Sequence, residues 1–336
     1  MRRRSRRRRR RQVVVVVFIL GVVVGAQDVT LVSHGSVEKL WLVGPVCERW
    51  RGPLSLAVWG FSLQEFDASR CSSFALKLLQ PTTPEYPVNT LRNLAVQQVN
   101  TSHHLVSDLD FLPSSGLRLY LKTIDKASNA ALVVPAFQRR GGNCKSLETC
   151  RERVEPLVER VPATFDSLLE CLAEKKCQEF QRDSSPGSHS TTDLVAWLTQ
   201  TTLRPIPCFR TNRYEPYVVV PAATSPPYDE RFSGYGKNKI QHVTHLRKLG
   251  FQFSVLPHHF LIHLPHPKSR DKQHWMSDYD RHLYVDRLYD SFLRDLDARD
   301  DLPTLGPPIA ICGHSSRRKK TKNRREDEVA VRRRDN

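Results

Sequence analysis

Most of this chain has almost no net charge, although its 336 residues together carry a formal charge of +17. Residues 1–11 hold nine arginines and no acid, and residues 317–336 hold ten basic and four acidic residues. Only +2 remains for the 305 residues between them. A nucleic-acid-binding domain presents clustered basic residues on its folded surface. The lack of net charge in the body therefore predicts a protein without a nucleic-acid partner. The basic ends leave a nuclear protein as a minor alternative.

Several motifs are also missing. No apolar run reaches ~18 residues, which excludes a protein with several transmembrane helices. There is no HExxH pattern, which argues against a zinc protease, and no Walker or dinucleotide-binding pattern. At 39% hydrophobic and 8% aromatic residues the body can still bury a core, which excludes wholesale disorder.

The N-terminus has the pattern of a secretory signal. The arginines precede residues 13–26, which are fourteen apolar or small residues without a charge. At ~1.5 Å per residue a helix here spans roughly 21 Å, less than a ~30 Å hydrocarbon core. We predict either a type II signal-anchor, with residues 1–12 in the cytoplasm, or a cleaved signal peptide, with the rest of the chain in the secretory pathway. The alternative is an arginine tract that binds nucleic acid beside a buried strand.

Cysteine usage agrees with an oxidising compartment. The chain has eight cysteines, and those at 144, 150, 171 and 177 lie within one segment. Their spacing does not match CxxC zinc sites, so we predict disulfides of undetermined connectivity. Asn100 begins one N-glycosylation sequon, which is weak evidence by itself.

Short apolar strands alternate with helical patterns from residue 29 onward, which predicts an α/β domain with a mostly parallel sheet. Strands are predicted at 29–32, 54–59, 74–79, 104–107, 131–137, 214–220, 251–256 and 260–264. Helices are predicted at 36–50, 89–99, 117–124, 240–249 and 279–296, the second capped by Asn89. We place the folded domain at 28–312, with a Cys-rich insertion or lid at 139–200 and a basic disordered tail at 313–336.

Asp108 and Asp110 follow a predicted apolar strand, where ligands of α/β sheets bind. Two carboxylates one residue apart can hold a hard divalent cation, which would stabilise a diphosphate leaving group. The alternative is a turn or helix-capping aspartate. A phosphatase-type aspartate pair is disfavoured because Leu112 occupies the position where that motif has Thr or Val.

Other side chains could complete such a site. His263 and His266 follow a strand, and an imidazole could join the metal ligands. Asp229 and Glu230 lie on a Pro-rich loop and are candidate general bases, although a turn or a pair with a neighbouring arginine is an equal alternative. Lys237 ends a Gly-rich stretch and could face a phosphate or a sugar acid.

Six stretches in this order resemble glycosyltransferase family 49, which includes the glucuronyltransferase domain of LARGE-type enzymes. They are residues 86–95, 107–113, 133–137, 214–220, 228–236 and 260–266. The resemblance covers roughly residues 28–300, apart from the Cys-rich segment.

This resemblance implies a GT-A fold and an inverting, metal-dependent transfer from a UDP-sugar, with UDP-glucuronate favoured, to a glycan or glycoprotein acceptor in the Golgi lumen. It matches Asp108, Asp110 and His263 to the ligands of Mn²⁺, with Mg²⁺ as the alternative ion. It also places Arg92 and Asn93 beside the nucleotide and the base at Asp229 or Glu230. The family's Gly-Trp-Asn-Lys is replaced here by residues 236–239, Gly-Lys-Asn-Lys, which leaves the sugar and acceptor open. A non-catalytic glycan- or partner-binding protein on the same fold is the competing hypothesis.

Overall fold

The computed structural model describes residues 14–19, 28–60, 68–82, 84–140, 146–299 and 304–313. The strands are β1 Val14–Ile19, β2 Val29–Ser36, β3 Pro53–Trp59, β4 Ser73–Leu79, β5 His103–Val106, β6 Phe111–Pro113, β7 Ala130–Val134, β8 Ala136–Arg139, β9 Cys177–Glu179, β10 Arg204–Pro205, β11 Cys208–Phe209, β12 Tyr217–Pro221, β13 Gln252–Val255, β14 Leu261–His263 and β15 Ala310–Ile311. The α-helices are α1 Val43–Trp50, α2 Val88–Val96, α3 Leu117–Thr123, α4 Leu147–Val154, α5 Phe165–Ala173, α6 Leu194–Trp197, α7 Asn238–Lys248, α8 Arg270–Ser277 and α9 Tyr279–Asp297. A 3₁₀ helix, Val37–Leu42, joins β2 to α1.

The main sheet has nine strands in the order β1-β4-β3-β2-β5-β12-β7-β13-β10. β4, β3, β2, β5, β7 and β13 run in one direction, and β12 lies antiparallel between β5 and β7. The predicted α/β class with a mostly parallel sheet is therefore confirmed. Because β12 runs in the opposite direction, its first residue lies at the same edge as the carboxyl ends of β5 and β7.

A second sheet of four strands, β6-β14-β8-β9, continues from this edge. The chain passes from β5 to β6 through Asp108 and Asp110, and from β7 to β8 through Pro135. Residues 131–137, predicted as one strand, are thus two strands in different sheets. Pro135 has no N–H to donate to a ladder, which is consistent with the break at this position.

Helix α2 packs against β2 and β3 through Leu91 and Ala95, which are fully buried. Its N-cap is Pro87, so the prediction that Asn89 caps this helix is wrong. Asn89 lies inside the first turn and its side chain donates to the Asp229 carbonyl oxygen over 2.8 Å. The helix therefore contacts the 228–230 loop on one side while Arg92 points toward the sheet edge.

The Cys-rich segment packs into the domain. It supplies β9 to the second sheet, and Leu168 and Trp197 are completely buried in the main core. Three disulfides join Cys47 to Cys71, Cys171 to Cys177 and Cys208 to Cys312. Cys144, and the side chain of Cys150, lie outside what the structure describes, so their pairing stays a prediction.

The N-terminal segment is described only in part. Val14–Ile19 pairs antiparallel with β4 at the edge of the main sheet, and residues 1–13 and 20–27 lie outside the described part of the chain, as do residues 314–336. Within the described ranges, none of the helices combines the length and apolar character that a bilayer span requires. Both interpretations of the signal segment stay predictions.

Candidate functional site

Asp108 and Asp110 lie on a turn at the carboxyl edge of the main sheet. The Phe111 N–H donates to the Asp108 carbonyl oxygen over 3.1 Å, which closes the turn between β5 and β6. Residues two apart share a face only along an extended strand. The turn therefore allows the two carboxylates to meet different groups, and they do.

Asp108 is surrounded by donors and cations. Its Oδ1 lies 3.1 Å from His34 Nε2 and 3.1 Å from an Arg92 guanidinium nitrogen. Its Oδ2 accepts from the Tyr217 hydroxyl at 2.8 Å and lies 3.5 Å from Lys239 Nζ. Burial opposes ionisation, but the charge of Lys239, the His34 hydrogen bond and Arg92 hold the pKa of Asp108 well below its usual range. Asp108 is therefore a carboxylate that already has a full set of partners.

Arg92 is fixed by more than this ion pair. The same guanidinium donates to Asn89 Oδ1 at 3.0 Å and to Asn238 Oδ1 at 2.8 Å, and it lies over the Tyr228 ring. Its side chain is only 3% exposed, so its charge depends on Asp108 for compensation. The prediction that Arg92 lies at the site agrees with this position.

Asp110 belongs to a different cluster. Its carboxylate and one nitrogen from each of His263 and His266 lie within 4.8 Å of one another, which is close enough for one metal ion. His263 ends β14, which pairs antiparallel with β6 so that His263 lies opposite Phe111. The Leu264 N–H also donates to the Asp110 carbonyl oxygen over 2.8 Å. The pairing of two strands remote in sequence thus brings the carboxylate and both imidazoles together.

Both histidines present nitrogen atoms suited to a metal. Burial lowers the pKa of His263 to about 3 despite the nearby Asp110 charge, so its imidazole is neutral at physiological pH. His266 Nδ1 lies 2.7 Å from the Pro267 carbonyl oxygen, to which it can only donate. With Nδ1 facing that carbonyl, Nε2 is the nitrogen that lies toward Asp110 Oδ2, 2.9 Å away, and is the one placed to ligate a metal ion shared with this carboxylate. A carbonyl that orients a ligating imidazole in this way is common at metal sites.

Lys39 shares the Asp110 carboxylate. Its Nζ donates to Asp110 Oδ2 over 2.6 Å from the 3₁₀ helix that follows β2. Lys39 and the two histidines hold the pKa of Asp110 well below its usual range, although burial opposes this. A small pocket open to solvent lies beside them. Its lining residues are Lys39, Trp41, Leu42, Asp110, Leu264, Pro265 and His266.

The two predicted bases are engaged elsewhere. Both carboxylate oxygens of Asp229 accept from Arg231, which also pairs with Asp295 at 2.8 Å. Glu230 accepts from Asn93 at 2.8 Å and from Thr90 at 3.0 Å. Within the described residues the structure brings neither carboxylate into contact with Asp108 or Asp110. Asn93, predicted beside the nucleotide, instead holds the 228–230 loop against α2.

Lys237 faces away from Asp108. Its ammonium lies 2.8 Å from Asp286 of α9 and over the Tyr289 ring. Lys239, two residues later, lies 3.5 Å from Asp108 Oδ2, and its Nζ donates to the Tyr217 hydroxyl over 3.0 Å. Of the two lysines in Gly-Lys-Asn-Lys, the second therefore lies at the site, in the position that the family's lysine would take.

Glu215 is a carboxylate that sequence reasoning did not select. It lies two residues before Tyr217, and its backbone N–H donates to the Ser188 carbonyl oxygen over 2.9 Å. Its side chain is half-buried and has no hydrogen bond or ion pair among the residues the structure describes. Burial raises the pKa of Glu215, while the charge of Lys239 opposes the shift. A carboxylate with a raised pKa within electrostatic reach of Lys239, Asp108 and Arg92 is a candidate for proton transfer.

Comparison with known proteins identifies the family. A family described as "Glycosyl-transferase for dystroglycan" matches residues 62–300. The chain belongs to this family. LARGE2 of Mus musculus, a xylosyl- and glucuronyltransferase, is 34% identical over 292 residues, covering 81% of this chain and 39% of the relative. LARGE1 of Danio rerio is 33% identical over 294 residues, covering 82% of this chain and 36% of the relative. The chain spans about two-fifths of the length of these relatives.

Solved structures of glycosyltransferases are also similar, at low sequence identity. S. aureus TarS 1–349 in complex with UDP has a TM-score of 0.41 and 12% identity, covering 70% of this chain and 60% of that one. GalNAc-T7 with UDP, GalNAc and Mn²⁺ has a TM-score of 0.40 and 10% identity, covering 81% of this chain and 55% of that one.

Proposed function

We propose that this protein transfers a sugar, most favourably glucuronate, from a UDP-sugar to a glycan acceptor, with inversion at the anomeric carbon. The observation that carries the proposal is the Asp110, His263 and His266 cluster beside an open pocket, at the sheet edge where α/β proteins bind ligands. Relatives named as xylosyl- and glucuronyltransferases favour UDP-glucuronate or UDP-xylose among the donors.

The donor set of one carboxylate and two imidazoles fits Mn²⁺, with Mg²⁺ as the alternative. Asp110, His263 and His266 would hold the ion, which supplies charge neutralisation for a diphosphate leaving group. Asp108, which was predicted as a second metal ligand, is separated from Asp110 by Leu109 and is not part of this cluster. We propose that Asp108 orients Arg92 and Lys239 rather than binding the ion. Those two cations would attract the donor diphosphate to the sheet edge.

An inverting transfer requires a base for the acceptor hydroxyl. As in glycoside chemistry generally, the anomeric carbon develops oxocarbenium character, and attack from the opposite face converts an α-linked donor to a β-linked product. We propose Glu215 as this base in preference to Asp229 and Glu230, because those two already accept hydrogen bonds from neighbouring residues. The raised pKa of Glu215 suits a group that must take up a proton.

We place the protein in the secretory pathway, in the Golgi lumen. The three disulfides support an oxidising compartment, and the arginine-rich N-terminus favours a type II membrane anchor, with a cleaved signal peptide as the alternative.

The test is thermal unfolding of the full-length, disulfide-bonded protein with UDP, UDP-glucuronate, UDP-xylose or UDP-N-acetylglucosamine, each with and without Mn²⁺. A ligand at ~100 times its Kd stabilises by roughly 2.7 kcal/mol. For a domain of this size we expect a shift of about 2–4 °C, present only with Mn²⁺, and largest for the true donor.

Asp110→Asn should remove the Mn²⁺-dependent shift, whereas Asp290→Asn, which changes an exposed aspartate of α9, should retain it. If no nucleotide shifts the unfolding temperature with or without metal, the protein is a binding protein and the proposal is wrong. If the donor binds, release of UDP in the presence of acceptor distinguishes transfer from non-catalytic binding.

A further inference from the structure

The contact between Lys39 and Asp110 occupies an oxygen that a metal ion would need. Lys39 Nζ lies 2.6 Å from Asp110 Oδ2, the same oxygen that lies 2.9 Å from His266 Nε2. Asp110 is the single carboxylate of the candidate metal cluster. A divalent cation held by Asp110 and the histidines would therefore share this carboxylate with the lysine ammonium or replace it there.

Electrostatics disfavours sharing. The side chain of Asp110 is 7% exposed, so charges around it are weakly screened by solvent. One carboxylate and two neutral imidazoles cannot balance both a divalent ion and an ammonium, and the two cations repel each other. Binding of the ion should thus drive Lys39 away from Oδ2.

Lys39 has somewhere to go. Its side chain is 24% exposed and lines the pocket beside Asp110, which is open to solvent. Lysine is a compact charge on a flexible four-carbon stem, so its ammonium can move by several ångströms while its backbone stays in the 3₁₀ helix. The rest of this pocket is mainly apolar, apart from Asp110 and His266, so an ammonium turned into it lacks a fixed anion.

We propose that Lys39 is a displaceable counter-ion, which competes with the metal ion for Asp110 and then binds an anionic group of the sugar donor. The inference rests on the proposed function for the identity of that anion, which is the diphosphate or the carboxylate of a hexuronate. Binding of the metal ion and binding of the donor should then strengthen each other. The ion displaces Lys39 from Asp110, and the donor's anionic group stabilises the displaced ammonium. Mn²⁺ by itself should bind weakly, and the donor should bind poorly without it.

The test compares the wild-type full-length protein with Lys39→Met, which keeps the length of the side chain and removes its charge. Calorimetry or electron paramagnetic resonance measures the affinity for Mn²⁺ alone and then for UDP, UDP-glucose and UDP-glucuronate at saturating Mn²⁺. We expect Lys39→Met to bind Mn²⁺ alone about tenfold more tightly and at least one donor nucleotide about tenfold more weakly. Equal weakening of all three nucleotides identifies the diphosphate as the partner, and weakening confined to UDP-glucuronate identifies the carboxylate.

Lys77→Met is the matched control, because Lys77 contacts Gln97 on the surface and should leave both affinities unchanged. Lys39→Gln removes the same charge but keeps a polar side chain. A thermal unfolding curve of each variant shows whether it is folded, so that loss of charge is not confused with loss of folding. Unchanged Mn²⁺ affinity in both Lys39 variants overturns the inference, as does tighter Mn²⁺ binding without weaker binding of any nucleotide. Failure of the proposed function is distinct, since the wild type would then bind no nucleotide with Mn²⁺.

Discussion

Asp108 and Asp110 are separated by one residue, yet the protein uses them differently. Asp108 has four donors around it, one of them the deeply buried Arg92, and all of them are held by the main sheet or by helices packed on it. Asp110 faces His263 at the end of β14, His266 three residues later and a lysine that can reach solvent. The difference arises from the turn between β5 and β6, and the proposed function assigns support of the fold to Asp108 and ligand binding to Asp110.

Replacing each aspartate by asparagine should separate these roles most strongly. Asp110→Asn removes the only carboxylate of the metal cluster, so we expect Mn²⁺ binding to be lost and turnover to fall at least about a hundredfold, since the metal's charge stabilisation is lost. Asp108→Asn leaves Arg92 buried without its carboxylate, and we expect the free energy of unfolding to fall by about 2 kcal/mol. Metal titration and chemical denaturation of both variants measure the two effects.

The two asparagine variants should also differ in how much stability they lose. Lys39, left by Asp110→Asn, can reach solvent, whereas Arg92 is 3% exposed and cannot. Asp110→Asn should therefore be the less destabilised variant. If Asp108→Asn loses Mn²⁺ affinity as completely as Asp110→Asn, then Asp108 is also a ligand and the proposed division of roles is wrong.

The Asp108 side of the site should also supply the base. We expect Glu215→Gln to lower kcat about a hundredfold without changing the Mn²⁺-dependent affinity for the donor, because a glutamine cannot accept the acceptor's proton. In the wild type, kcat/KM should rise with pH through the raised pKa of Glu215 and then level off, since the carboxylate must be ionised to act. Steady-state kinetics over pH 4–8 measures this limb.

Asp229→Asn and Glu230→Gln are the matched controls for this prediction. Their carboxylates contact Arg231 in one case and Asn93 and Thr90 in the other, so we expect effects on stability rather than on the pH profile. A loss of kcat in either variant that matches Glu215→Gln would return the base to the 229–230 loop.

Local patterns predicted much of this fold, and non-local pairing explains what they missed. The alternation of apolar strands and helices was enough for the α/β class, and the position after a strand selected Asp108 and Asp110 together as candidate ligands without distinguishing their surroundings. Lys39 and His34 were missed because their relation to the aspartates depends on how β2 lies beside β5. That β2–β5 pairing leaves no trace in the spacing of residues.

Lys239 and Glu215 show the same limit in another form. The Gly-rich stretch predicted a lysine at the site, but only the left-handed backbone at Lys237 (φ 50°) and the start of α7 determine which lysine points inward. Glu215 lies within residues 214–220, one of the stretches that resemble the family, but that stretch by itself does not mark it as a base. The best available indication was its place just before β12, the buried strand that pairs with β5, after which Asp108 follows.

The smallest expected effect concerns a histidine that, unlike His263 and His266, is buried away from any acid. It changes how the stability of the fold depends on pH. His104 is 1% exposed and neither ring nitrogen has a partner among the described residues, and burial lowers its pKa to about 4. Because this histidine binds a proton near pH 6.5 in the unfolded chain and not in the folded chain, its burial costs no stability through titration well above pH 6.5 and destabilises the fold progressively as the pH falls toward 4. We expect His104→Phe to reduce the loss of stability between pH 7 and 5 by at most about 2 kcal/mol, measured by denaturation at each pH. His274→Gln, at an exposed position of α8, should leave that loss unchanged, and an unchanged slope in His104→Phe would show that His104 is not kept neutral by the fold.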